Sequence, residues 1–434
     1  MSSPSTLRIE NLEFGTRSLG RSRTSFAKRA TIGLQKVEIK NPSYTISRVS
    51  HPLAVDEDML ANLKKLEHIL VGELMSLKGL EWSSLTFHSR SPKDDWSSHV
   101  PTVLLFCKLG SWFDYGTLES KIQNLIDTFK PGIGIEILPG MLISSSLTEP
   151  RALRLVSFQI SDVPTSGSSI GIHGDVRQAG LFGWYGWAKL PGEKIAQAVG
   201  CTGFHVVVSN DRDVQELTMA ESVRLTQADG FGMVKVEFPA AMNRVAEDER
   251  LSIALLSDPA NQAIIQDLQS PRRRSELPIL GEILGASGLR KNKDSRRMDW
   301  SLFTVGSEKP PGYRISTEFV MPRFGTLRED EWVAKIGRTS GVTTGFVNKL
   351  ARTVKWEEHC GLVTKEVDII GLGSAFTQPG DSGAAVSNSR GELVGQIIAM
   401  EPNSNNEHSG RVTPFQAILQ DVLGREGIHI ELPS

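Results

Sequence analysis

The segment Pro379-Gly380-Asp381-Ser382-Gly383-Ala384-Ala385-Val386 constrains this chain more than any other. A serine between two glycines reads as a tight turn, because glycine enters positive φ freely while Asp and Ser satisfy their own backbone there. The residues that follow are apolar and read as a strand. Asn388-Ser389-Arg390-Gly391-Glu392 then reads as a turn, and Leu393 to Met400 as a second, buried strand. On its own, Gly-Asp-Ser-Gly also describes an ordinary surface turn. Set between strands, it presents a hydroxyl to a neighbouring base, with the N–H groups of Gly380 and Ser382 available to a developing oxyanion.

With its flanking strands, this loop resembles the nucleophile loop of the trypsin-like serine proteases. Within them it is more similar to the non-secreted, disulfide-free branch with HtrA-type loops than to the digestive enzymes. The resemblance covers about residues 165–425 and implies a triad that runs His, Asp, Ser along the chain. For the base, Gly200-Cys201-Thr202-Gly203-Phe204-His205-Val206 resembles the family's small-residue segment ahead of its histidine, which assigns His205. His173 is the alternative, but it falls early, in what reads as the first strand pair. For the acid, Arg296-Arg297-Met298-Asp299-Trp300-Ser301-Leu302 resembles the family's Asp motif and assigns Asp299, with Asp248 or Asp258 as alternatives.

The long separation of His205 from Asp299 implies an insertion, placed at 268–293 between the basic clusters Arg272-Arg273-Arg274 and Arg290-Lys291-Asn292-Lys293. Val333 to Val347 resembles the hairpin that opens the second barrel, with Gly337, Gly341 and Gly345 at turns and bulges. Thr413-Pro414-Phe415-Gln416 reads as a capping box with Pro at the first helical position, followed by Ile418, Leu419, Val422 and Leu423 on the face of Phe415.

The resemblance also implies the oxyanion hole, at the N–H groups of Gly380 and Ser382, and a substrate pocket lined by Phe376, Thr377, Ile398 and Met400. With Phe376 as its floor and no charged residue near, the pocket is expected to be shallow and to take small or medium apolar residues. No cofactor and no metal is expected. In the digestive enzymes a freshly cut N-terminus pairs with the Asp before the nucleophile, here Asp381. Ser168-Ser169-Ile170-Gly171 offers no basic residue for that cut, so Asp381 needs another partner or stays solvated.

A chain of 434 residues exceeds one pair of protease barrels of about 200 to 250 residues, so a second domain is expected. In 36–155, Leu60, Leu63, Leu66, Leu70 and Leu74 recur at helical spacing. Val103 to Cys107 then reads as a strand, Leu118 to Phe129 as a helix and Gly134 to Leu138 as a strand, a β-α-β unit of a two-layer α/β domain. Residues 1–35 read as a loose basic segment and 160–430 as the protease domain. The expected architecture is mainly β: two six-stranded antiparallel barrels of chymotrypsin type with a C-terminal helix, preceded by the α/β domain.

A net charge of −2 and an apolar fraction of 39% give no reason to expect nucleic acid or membrane as a partner. No run reaches the roughly 18 consecutive apolar residues of a spanning helix. Met1 to Ser5 lacks an apolar signal region. Three cysteines, Cys107, Cys201 and Cys360, build no disulfide framework and point to a reducing compartment, cytoplasmic or nuclear. The expected function is that of an intracellular serine endopeptidase acting on proteins or peptides, with a regulatory partner at the N-terminal domain. The alternative is a catalytically silent relative that binds peptides or partners.

Overall fold

The computed structural model describes residues 48–92, 97–108, 111, 113–129, 132–140, 143–144, 164–176, 179–208, 234–241, 279–306, 313–314, 320–321, 323–356, 361–372, 374–401 and 409–433. The chain forms two compact units. One takes residues 1–142, 348–357 and 401–407, and the other takes the rest. The division is therefore not a single cut near residue 155, since the first unit draws two later segments out of the 160–430 stretch.

In the first unit, β1 (Arg48–His51), α1 (Glu57–Ser76), β2 (Trp82–Pro92), β3 (Val100–Lys108), α2 (Tyr115–Phe129) and β4 (Gly134–Gly140) follow in order. Asp56 caps α1 by accepting from the Met59 N–H at 2.7 Å, and the leucine stripe from Leu60 to Leu74 is buried. Strands β3 and β4 are parallel and joined through α2, the β-α-β unit expected from the sequence, while β2 pairs antiparallel with β1 and β3.

The second unit opens with the two-residue β5 (Ile143–Ser144). It continues with β6 (Ser169–Ile172), β7 (Gly180–Leu181), β8 (Trp184–Lys189), β9 (Gln197–Thr202), the single turn α3 (Phe204–Val207), β10 (Lys235–Glu237), β11 (Ile279–Ala286) and β12 (Ser301–Thr304). The hairpin β13 (Trp332–Gly337) and β14 (Gly341–Val347) follows. The chain then lends β15 (Arg352–Trp356) to the first unit, where it pairs with β2. The last elements are β16 (Leu362–Gly371), β17 (Ala385–Asn388), β18 (Leu393–Glu401), β19 (Ser409–Pro414), α4 (Phe415–Glu426) and β20 (His429–Glu431).

Strands β14, β13, β17, β18, β19 and β16 pair in that order, and β14 closes on β16 through Phe346↔Ile370, giving a closed six-stranded barrel. Its core holds Val333, Ile369, Phe376, Val386, Val394, Ile397 and Val412. The companion sheet, ordered β20, β8, β9, β12, β11, β10, β6, β7, remains an open half-barrel among the described residues. Between the two, Trp184, Cys201, Trp300, Leu302, Ala385, Leu393, Phe415 and Ile418 form a continuous core under α4.

Three readings need correction. Within the stretch assigned to an insertion, Ile279–Ala286 is barrel wall, because β11 pairs with both β10 and β12, while Arg290 and Lys291 pair with Met298 and Arg297 in a separate small hairpin; its beginning, 268–278, lies outside the described residues. The capping box does not form: α4 starts at Phe415 with Pro414 as the flanking residue, and the Thr413 hydroxyl instead donates to the Arg297 carbonyl at 3.3 Å. Leu423 is half exposed and does not share the buried face of Phe415, Ile418 and Val422.

Candidate active site

His205 follows β9 on the short turn α3, which starts directly after Gly203. Asp299 immediately precedes Trp300 and β12, the strand that pairs with β9 through Leu302↔Cys201, so that sheet pairing draws the two residues together from opposite ends of a long excursion. The His205 backbone N–H donates to Asp299 Oδ1 at 3.0 Å, and His205 Nδ1 lies 2.5 Å from Oδ2. On the far side of the ring, Nε2 lies 2.6 Å from Ser382 Oγ. In the neutral ring, the tautomer that donates from Nδ1 to Asp299 leaves Nε2 to accept from the serine hydroxyl.

Asp299 is buried, which raises its pKa, but the adjacent His205 charge, the hydrogen bonds from His205 and the Arg297 guanidinium at 3.8 Å outweigh burial and bring it to about 2. Gln396 fixes the same segment by donating to the Asp299 carbonyl at 3.2 Å. The other histidine considered, His173, pairs with Glu237 at 2.9 Å, away from this group. Asp248 and Asp258 lie outside the described residues.

The loop that carries Ser382 is held from both sides. Toward the half-barrel, the Leu181 N–H donates to the Ser382 carbonyl at 2.8 Å. Toward the closed barrel, the Gly383 N–H donates to Ile397 at 3.0 Å. Gly380 and Gly383 take φ of +97 and +87, which a side chain would strain, and a Cβ on Gly383 would lie 2.6 Å from the Leu181 carbonyl. Within the loop, the Asp381 N–H is bonded to Gln378 and the Gly383 N–H to Ile397. Among the described residues, the N–H groups of Gly380 and Ser382 are left uncommitted, as an oxyanion site requires.

Asp381 has found the partner that the sequence left open. Lys335 on β13 reaches it at 2.9 Å, both side chains fully buried, and the Thr339 N–H, the Gln378 N–H and the Ser340 hydroxyl also donate to its carboxylate. Burial raises the Asp381 pKa, but Lys335 and these donors hold it below the ordinary carboxylate value. Nothing in the sequence marked Lys335, because it lies 46 residues from Asp381 and reads as an ordinary strand residue.

The pocket floor is corrected. Phe376 has no exposed surface and packs inside the closed barrel, where Gly345 and Gly410 leave room for its ring. Thr377, Ile398 and Met400 are also buried, and the Thr377 hydroxyl has no hydrogen-bond partner among the described residues. Cys201 is a buried free thiol beneath the site, as is Cys107 in the first unit, while Cys360 lies outside the described residues.

A closed barrel beside a half-barrel, with His205 and Asp299 placed by the half-barrel and Ser382 by the loop ahead of β17, fixes the architecture. The fold is that of the chymotrypsin-like serine proteases. No family model matches the sequence, and no curated protein matches it. Among solved structures, the chain is similar to Cellulomonas bogoriensis chymotrypsin, at 13% identity over 62% of this chain and 98% of that one, with a TM-score of 0.35. Thermobifida fusca protease A matches at 13% identity over 62% and 99%, TM-score 0.35. Deg5 matches at 14% over 60% and 90%, TM-score 0.26.

Proposed function

We propose that this protein is a serine endopeptidase in which Ser382 attacks the peptide carbonyl. His205 takes the serine proton through Nε2 and returns it to the leaving amine. Asp299 holds the ring in the required tautomer and stabilises the imidazolium. The oxyanion rests on the N–H groups of Gly380 and Ser382. The observation that carries this reading is the unbroken hydrogen-bonded chain from Asp299 through His205 to Ser382. Lys335 supports it by neutralising Asp381 inside the loop without a cut N-terminus, so the loop needs no zymogen cleavage to hold its shape.

The substrates on this reading are proteins or peptides. Buried free thiols at Cys107 and Cys201 favour a reducing compartment. Among the described residues, no helix is long and apolar enough to cross a membrane.

One observation favours a second reading, a silent peptide-binding relative: Ser382 has no exposed surface. A fluorophosphonate probe separates the two. Covalent labelling that maps to Ser382 and disappears in Ser382→Ala supports the peptidase. Absence of labelling on folded protein supports the silent binder.

A further inference from the structure

Strand β5 lies in an unusual place. Ile143 and Ser144 pair antiparallel with Met400 and Ala399 of β18. Three residues earlier on β18, Gln396 pairs with Ala385 of β17, and Ile397 exchanges hydrogen bonds with Gly383 and Ala384, the two residues that follow Ser382. There β17 ends and the chain turns into the nucleophile loop. In the sheet β17 and β19 flank β18, and β5 pairs with β18 beyond the point where β17 ends. From Ile143 to Ser144 the chain runs toward Ile397 and so toward Ser382. At about 3.4 Å per residue, Ala399 stands only about 7 Å along the strand from Ile397.

On the serine-peptidase reading, this edge of β18, once freed of β5, would recruit an extended peptide beside Ser382 through main-chain hydrogen bonds. We propose that β5 is a built-in occupant of the peptide-binding edge, a segment of the chain's own linker that lies on β18 as a substrate would and must leave before a substrate polypeptide can bind. The proposal rests on the serine-peptidase reading and adds a regulatory element, a segment of the chain itself paired along Ala399 and Met400. Strand β5 stands outside the closed ring of six strands, so its departure leaves the barrel's own pairing intact.

An edge occupied in about nine molecules of ten lowers apparent affinity for a competing peptide about ten-fold. The test uses the full chain with Ile143→Pro/Ser144→Pro, which cannot donate the strand's hydrogen bonds, and the milder Ser144→Pro. Folding is checked by near-ultraviolet circular dichroism, and fluorophosphonate labelling is measured in parallel. Two substrates are compared, an extended quenched-fluorescent peptide and p-nitrophenyl acetate, which needs the nucleophile but not the edge.

The expected result is that peptide kcat/KM rises about ten-fold relative to ester hydrolysis. A synthetic peptide with the sequence of residues 139–144 should then inhibit the variant competitively. If Ser382 labels in the wild type but the peptide-to-ester ratio stays within about two-fold in folded variants, the occupant proposal is overturned and the peptidase reading stands. If both variants unfold the protein, β5 is a structural strand and the proposal is likewise overturned. If folded wild type and variants all fail to label, the peptidase reading falls and takes the proposal with it.

Discussion

Lys335 Nζ lies 2.9 Å from Asp381 Oδ2 where neither side chain has any exposed surface, which ties the first strand of the closed barrel to the residue before the nucleophile. A buried pair of this kind is a weak source of stability when intact, but removal of one partner strands an uncompensated charge, at a cost of about 3–5 kcal/mol.

Lys335→Met and Asp381→Asn should therefore each destabilise by about that much in urea unfolding, and each should abolish fluorophosphonate labelling by freeing the loop. The double variant should recover part of the stability, since no lone charge remains. Strictly additive losses in the double variant would show that the two side chains do not act as a pair.

On the proposed triad, Ser382→Ala and His205→Ala should each lower peptidase activity by on the order of four to six decades, with labelling lost in Ser382→Ala. Asp299→Asn should cost about four decades in kcat by favouring the wrong imidazole tautomer. If Asp299→Asn retained full activity on folded protein, the acid would have to be sought elsewhere.

The pH dependence of stability follows from Asp299. Its folded pKa, about 2, lies below the ordinary aspartate value, so its ionised form stabilises the native state. That contribution is complete above about pH 4 and is lost as the pH falls toward 2, as the native carboxylate takes up its proton. The stability difference between wild type and Asp299→Asn should be flat from about pH 7 to 5 and narrow below about pH 4. A gap that widens with acid would give the shift the opposite sign.

Phe376→Ala tests the revised pocket. A phenylalanine deleted from a closed core leaves a cavity and costs about 3–5 kcal/mol. The preferred residue before the cut should not change in a peptide library. A shift toward larger apolar residues without loss of stability would put Phe376 back at the pocket floor.

The sequence was most legible where chemistry demands particular residue types in a fixed order. His205, Asp299 and Ser382 could be picked out because each sits in a short local pattern, and the structure places them within hydrogen-bond reach. The leucine stripe of α1 and the β3-α2-β4 unit were readable from periodicity alone. Side-chain direction was not: Phe376 sits in a stretch with no alternation to say whether it faces pocket or core. Strand β2 was missed because its serines, threonine, histidine and arginine look solvated. They are buried and take partners from a distance, Arg90 pairing with Glu136 at 3.1 Å and Ser83 donating to Glu401 at 2.6 Å. Strand β11 was hidden by the basic clusters on either side of it.

Gly337 offers the sharpest test of how the loop is held. It ends β13 and pairs with Gly341 across the hairpin. A Cβ at Gly337 would come within 2.4 Å of both Asp381 Oδ1 and Ser340 Oγ, far inside contact distance, and both atoms belong to the cage around the Asp381 carboxylate. Gly341 is the internal control: a Cβ there meets nothing within 4 Å, but its φ of +68 is left-handed. Gly341→Ala should therefore cost only about 1–2 kcal/mol of backbone strain and leave labelling of Ser382 near the wild-type rate. Gly337→Ala should push Asp381 out of its cage and suppress labelling by a factor of about a hundred or more, comparable to loss of an oxyanion donor, while the far-ultraviolet spectrum stays native. Equal labelling rates in the two variants would mean that the cage around Asp381 does not govern the geometry of the nucleophile loop.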